Sequence, residues 1–147
     1  MALRSVGPRL ISEHVDDVVE WVTRLTGCPP FTDTKVAACG HETHGDESAT
    51  WFYVEADTEA GVGRLRCLAG GHVTDLLDSS DHWTYPGVWL CPACNQSIAE
   101  VVFGVHAAGG KARWLVVAVR CVECGEVCGV TDMVAGDLPL EVLLESL

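Results

Sequence analysis

Basic residues are scarce in this chain. Lysine and arginine number 9 against 21 aspartates and glutamates, a formal net charge of −12 over 147 residues. That balance opposes nonspecific attraction to phosphate backbones. Long apolar runs are also missing, so no stretch is suited to crossing a bilayer and no membrane association is expected. The opening Met1-Ala2-Leu3-Arg4 has neither the apolar core nor the small-residue cleavage site of an export signal. The eight cysteines are therefore expected as reduced thiols or metal ligands in a cytoplasmic setting, not as a disulfide framework.

Familiar enzyme motifs are lacking too. His41-Glu42-Thr43-His44 has one residue between the glutamate and the second histidine. A metalloprotease helix needs two, so that both imidazoles stand one turn apart. A nucleobase deaminase pairs His-x-Glu with Pro-Cys-x-x-Cys, but Leu90 precedes Cys91 and no His-x-Glu occurs. There is no nucleophile elbow and no phosphate loop. The expectation is a non-enzymatic protein with no catalytic residue.

What the chain does have is cysteine in pairs. Cys91-Pro92-Ala93-Cys94 is followed, across a strand-rich interval with a glycine turn, by Cys121-Val122-Glu123-Cys124. Two residues between thiolates let both turn toward one ion, and two such knuckles complete a tetrahedron. Cys91, Cys94, Cys121 and Cys124 are the candidate ligands of a structural zinc ion. Cys39 precedes Cys94 by nearly the same interval that separates Cys67 from Cys121, and Val73-Thr74-Asp75 recurs at a similar offset as Val130-Thr131-Asp132. These offsets suggest an internal duplication. The first half offers Cys39, His44, Cys67 and His72 as a second zinc set, with Cys-x4-His spacing used twice and His41 as the alternative to His44. Two zinc ions per chain, and at least one, are expected. Cys28 and Cys128 have no assigned role; Cys128 reads as a small apolar residue after the knuckle or as a resolving thiol in a redox-active zinc chaperone.

The rest of the chain frames these knuckles. Ile11, Val15, Val18, Val19, Val22 and Leu25 recur at helical spacing after Pro8 and before Gly27, so an acidic amphipathic helix is predicted within residues 1–27. Residues 28–35 read as a stiff linker and 36–78 as the first, diverged module. Residues 79–86 read as a second linker, 87–133 as the second module and 134–147 as a tail with a short helix that Asp137 could cap. Strands are expected at 49–55, 64–67, 98–105 and 114–120, with a turn at Gly109-Gly110. Each half alone is too small to bury a sufficient core, which is why metal is expected to be needed.

The spacing of Cys91, Cys94, Cys121 and Cys124 resembles that of the zinc-ribbon family. The resemblance covers about a third of the chain, or two thirds if Cys39 to Val73 is included. It implies a small α+β, metal-stabilised fold of two tandem ribbons made of short antiparallel sheets. It also implies a part in transcription or translation machinery, or as a docking module. The chain departs from the pattern at Val36, where a first cysteine would stand. Arg64, Arg66, Lys111, Arg113 and Arg120 fall in the two hairpins and are candidates for nucleic-acid contact, beside Trp51, Trp89 and Trp114. The acidic balance disfavours that use and favours a protein partner with a basic surface. The C-terminal Leu140, Val142, Leu143 and Leu144 are expected to offer apolar contacts.

Overall fold

A computed structural model describes residues 4–6, 9–23, 31–39, 50–57, 62–68, 71–77, 79 and 87–147. In chain order the elements are β1 (Arg4–Val6), β2 (Arg9–Ile11), α1 (Val15–Thr23), β3 (Asp33–Val36), β4 (Phe52–Asp57), β5 (Val62–Cys67) and β6 (Val73–Asp75). They continue as β7 (Gly87–Val88), β8 (Ile98–Ala108), β9 (Lys111–Cys121), β10 (Val127–Pro139) and α2 (Leu140–Ser146). Among the described residues, β1 and β2 form an antiparallel pair. The other strands form one mostly linear antiparallel sheet in the order β10-β9-β8-β4-β5-β6, with β3 also on β8 and β7 also on β4. The fold is small α+β. Among the described residues no helix is long and apolar enough to cross a membrane.

The central strands explain the sheet. β8 and β9 carry the runs Val101-Val102-Phe103 and Leu115-Val116-Val117-Ala118-Val119, apolar without alternation, as strands covered on both faces should be. Val101, Phe103 and Val105 of β8 and Leu115, Val117 and Val119 of β9 face one core, where Phe52, Val54, Leu65 and Leu76 join them. Met133 and Ala135 of β10 and Leu143 of α2 complete it. Burying each of these larger apolar side chains contributes ~1.5–3 kcal/mol before chain entropy is subtracted. The opposite face, through Val102 and Ala118, takes α1 with Val18 and Val22.

Gly104 makes the helix contact close. A Cβ there would lie 2.5 Å from Val22 Cγ1 and 3.2 Å from the Phe31 ring.

Several expectations are corrected. The N-terminal segment does not begin as a helix: Arg4–Val6 pairs with Arg9–Ile11, and α1 starts at Val15. Ile11 misled the periodicity because it stands one helical turn before Val15, in phase with the helix, while buried from a strand. Residues 33–35, expected as linker, belong to β3, which fills the part of the β8 edge that β4 leaves open. The two halves do not fold around separate cores. Phe52 and Tyr53 of β4 pair with Ala99 and Ile98 of β8, so each hairpin buries an edge that would otherwise face solvent.

Asp137 does not cap α2. Pro139 occupies that position without a side-chain bond, and Asp137 instead pairs with Arg113 at 2.7 Å. Of the C-terminal apolar group, Leu143 is buried and Leu140 and Leu144 pack on the core, which leaves Val142 exposed.

Candidate metal centre

Two tight turns carry the four cysteines. In the first, Asn95 N donates to Cys91 O and Cys91 N donates to Gln96 O, both at 2.8 Å. In the second, Gly125 N donates to Cys121 O and Cys121 N to Glu126 O, both at 2.9 Å. Asn95 and Gly125 adopt φ +64° and +80°, the left-handed conformation for which asparagine and glycine are suited. Each turn therefore presents residues i and i+3 to the same side.

The two turns face each other. All four Sγ atoms lie within 4.8 Å of one another, with Cys91–Cys124 and Cys94–Cys121 at 3.5 Å across the turns. A zinc tetrahedron with bonds near 2.3 Å has sulfur–sulfur edges of roughly 3.8 Å. The observed separations bracket that edge and far exceed the ~2.05 Å of a disulfide. The cluster is thus positioned to hold a metal ion.

Cys91 and Cys121 are buried, and Cys94 and Cys124 are half-buried. Burial pushes the Cys121 thiol up to about 12, reinforced by its contact with Cys94 Sγ and opposed by backbone N–H groups of the turn. Such a thiol ionises readily only when a cation replaces its proton.

The surroundings of this cluster include residues that sequence spacing did not flag. Glu126 is buried, with Oε2 3.3 Å from Cys91 Sγ. Ser12 donates its N–H to Gly125 O at 2.8 Å, and Ile11 forms a β-bridge with Glu126. Arg120 Nε donates to Ser12 O at 3.0 Å while its Nη1 pairs with Glu100 at 2.9 Å. The glycine immediately after Cys124 is the sequence signal that could have pointed here.

A third turn has the same backbone pattern without the same thiols. Gly71 N donates to Cys67 O and Cys67 N to His72 O, both at 2.9 Å, with Gly71 at φ +67°. Leu68 N donates to Trp51 O at 3.0 Å, as Val122 N does to Ile98 O at 3.1 Å. Arg66 pairs with Val73 as Arg120 pairs with Val127, so the offset that relates Cys67 to Cys121 also relates these strands. Val73-Thr74-Asp75 thus corresponds to Val127-Cys128-Gly129, and its identity with Val130-Thr131-Asp132 is not a match in register.

Among the described residues the four-cysteine cluster is the single group of three or more ligating side chains within reach of one ion. Cys39 and His72 line a cleft of about 380 Å³ with Lys35, Thr74 and Glu145, while Cys67 is buried in the main core. His41, His44, Cys28 and His82 lie outside the described residues. Cys128 is half-buried on β10, packed against the main core.

The hairpin cations are mostly engaged by carboxylates. Glu55, itself buried, accepts from Arg64 Nε at 2.8 Å and from Arg66 Nε at 3.3 Å. Arg113 holds Asp137 and Arg120 holds Glu100. Lys111 is exposed at the β8–β9 turn, and Trp51, Trp89 and Trp114 are each half-buried. No protein-family model, no curated protein and no solved structure matches the chain.

Proposed function

We propose that the chain is a non-enzymatic zinc protein in which a closed four-cysteine site of zinc-ribbon type shapes an interaction module of a larger assembly. The observation that carries this reading is the mutual approach of the four Sγ atoms at the tips of two matched turns. Four thiolates fill a tetrahedral ion, leaving no position for water or substrate, so its contribution is to stability. The all-sulfur donor set suits zinc in a reducing compartment such as the cytoplasm.

The corresponding backbone bonds of the Cys67–His72 and Cys121–Glu126 turns favour an ancestral duplication in which the first copy has diverged. A protein partner with a basic surface fits the net charge of −12. The pairing of Arg64, Arg66, Arg113 and Arg120 with carboxylates weakens the alternative reading of nucleic-acid contact through the hairpins.

Native mass spectrometry with metal quantitation tests the reading. One zinc per reduced, folded chain is expected from the four cysteines, and two would add a site in the first half. A folded, reduced chain without metal would overturn it. A salt-sensitive shift of RNA or DNA in a gel would favour the alternative.

A further inference from the structure

One element packed on the metal centre is not part of either hairpin. It is the segment Arg9–Thr23, which reaches the Cys121–Glu126 turn from far away in sequence. Ser12 is the junction. Its N–H donates to Gly125 O at 2.8 Å, and its carbonyl accepts from Arg120 Nε at 3.0 Å. Its hydroxyl accepts from the His14 N–H at 3.1 Å and lies 3.0 Å from the Asp17 carboxylate, which ties it to the start of α1. There is no slack at this contact: a Cβ on Gly125 would stand 2.4 Å from Ser12 O.

From Ser12 the helix continues across the sheet and covers Val102, Ala118 and Val127 with Val18 and Val22. The Gly125 carbonyl that holds Ser12 belongs to the turn that presents Cys121 and Cys124. Its direction is therefore set by whatever fixes that turn. The turn's own hydrogen bonds give it its shape, and an ion held by Cys121 and Cys124 would add a tie to the facing Cys91–Cys94 turn that four thiols without an ion lack.

We propose that Arg9–Thr23 is a metal-dependent strap: occupancy of the four-cysteine site locks the Cys121–Glu126 turn, and the locked turn holds the strap over the apolar back of β8 and β9. The inference rests on the metal reading above. Loss of the ion loosens Ser12 first, then α1, and uncovers the patch of Val102, Ala118 and Val127 while the middle of the sheet stays closed. Linkage makes the effect reciprocal, so a weakened strap contact lowers metal affinity by the factor by which metal tightens the strap.

Hydrogen exchange of the full reduced chain, zinc-loaded and after chelation, provides the test. Amides of Ser12 and of Val18–Val22 are expected to lose roughly tenfold or more in protection beyond the loss they share with Phe103, Val117 and Val119, which fall only by the ion's contribution to global stability. Strap protection unchanged after zinc has left would overturn the proposal. So would an equal loss across strap and sheet, since the ion would then hold the whole fold.

Competition with a chelator supplies the second arm. Arg120→Met should weaken zinc binding by a factor similar to the strap's loss of protection, and Glu100→Gln, which keeps the guanidinium on Ser12, should not. Equal affinity in wild type and Arg120→Met would overturn the coupling and leave the four-cysteine site standing. A wild-type chain that takes up no zinc would overturn both.

Discussion

The Cys67–His72 turn and the Cys121–Glu126 turn share a backbone and differ in chemistry. Both close with the same pair of hydrogen bonds, both place a glycine at positive φ, and both end an antiparallel strand that pairs the same way with the next. Only the second places two thiols three residues apart, facing a matching turn. At the position equivalent to Cys124, the first half has Gly70. The comparison separates two jobs that a zinc knuckle usually does together. Local hydrogen bonds and a left-handed glycine are enough to form the turn. Thiols are needed to join two turns across a gap that no backbone bond spans. The first half joins its neighbours differently, through Cys67 buried in the main core and β4 paired to β8.

The largest expected difference follows from that separation. Cys121→Ser removes a buried ligand, so bound zinc should be lost and thermal stability should fall by several kcal/mol, as structural metal sites supply folding free energy directly. Cys67→Ser at the matching position should cost only ~1–3 kcal/mol for an imperfectly satisfied buried hydroxyl. Metal content by elemental analysis should be unchanged by that substitution if the first half carries no ion. Equal metal loss in the two variants would break the comparison, because Cys67 would then be a ligand.

The glycines give the next contrast. Gly71 and Gly125 both lie in the left-handed region, where an alanine costs ~1–2 kcal/mol in either turn. Around Gly71 a Cβ meets nothing within 4 Å, whereas at Gly125 it meets the Ser12 carbonyl at 2.4 Å. Gly125→Ala should therefore be more destabilising than Gly71→Ala by a further ~1–3 kcal/mol, the usual cost of forcing atoms into a packed site. Denaturant midpoints of the two variants measure the difference. Parity would mean that the strap yields without cost.

A smaller contrast lies in the ion pairs that flank the turns. Glu55 sits opposite Arg64 and also takes Arg66, while Glu100 sits opposite Arg120. Glu55→Gln leaves two guanidinium groups short of charge, and Glu100→Gln leaves one that still bonds Ser12 O. The expected losses are ~1–2 kcal/mol for the first and about half that for the second, since charge-assisted bonds are worth somewhat more than neutral ones. Chemical denaturation checks the order.

How much of this was legible in the sequence depends on the range of the interactions involved. Cys91, Cys94, Cys121 and Cys124 could be read as a set because ligand spacing is local chemistry, and the glycine turn at 109–110 could be read for the same reason. The pairing of β4 with β8 could not. It joins Phe52 to Ala99, and nothing in either residue's neighbourhood says which open edge will meet which. The periodicity around Ile11 pointed to a helix because a buried strand residue can fall in phase with one. Ser12 carried no signal of its place beside the metal centre, since its bonds to Gly125 and Arg120 use backbone atoms that every residue has. The repeated Val-Thr-Asp was attractive and out of register, whereas the register itself is marked by Arg66 and Arg120, which look ordinary in sequence.

The smallest effect concerns a thiol outside the four-cysteine cluster that has no counterpart in the first half. Cys128 faces Val119 on β10, where Thr74 faces Leu65. Burial, aided by the Glu126 carboxylate, pushes the Cys128 thiol up to about 11 from an ordinary value near 9.0. The folded state thus prefers the neutral thiol. That preference stabilises the fold fully below about pH 9 and is lost as pH rises from there through 11, the sign expected for an acid whose folded value exceeds its unfolded one. At pH 8 the thiolate fraction should be about a hundredfold smaller than for an unperturbed thiol, and alkylation by iodoacetamide slower in proportion. Rates for the peptide bearing Cys128, followed by mass spectrometry in native and denatured protein from pH 8 to 11, should converge toward the upper end. Fast native alkylation at pH 8 would show a solvated thiolate poised for exchange, and would restore the resolving role to Cys128.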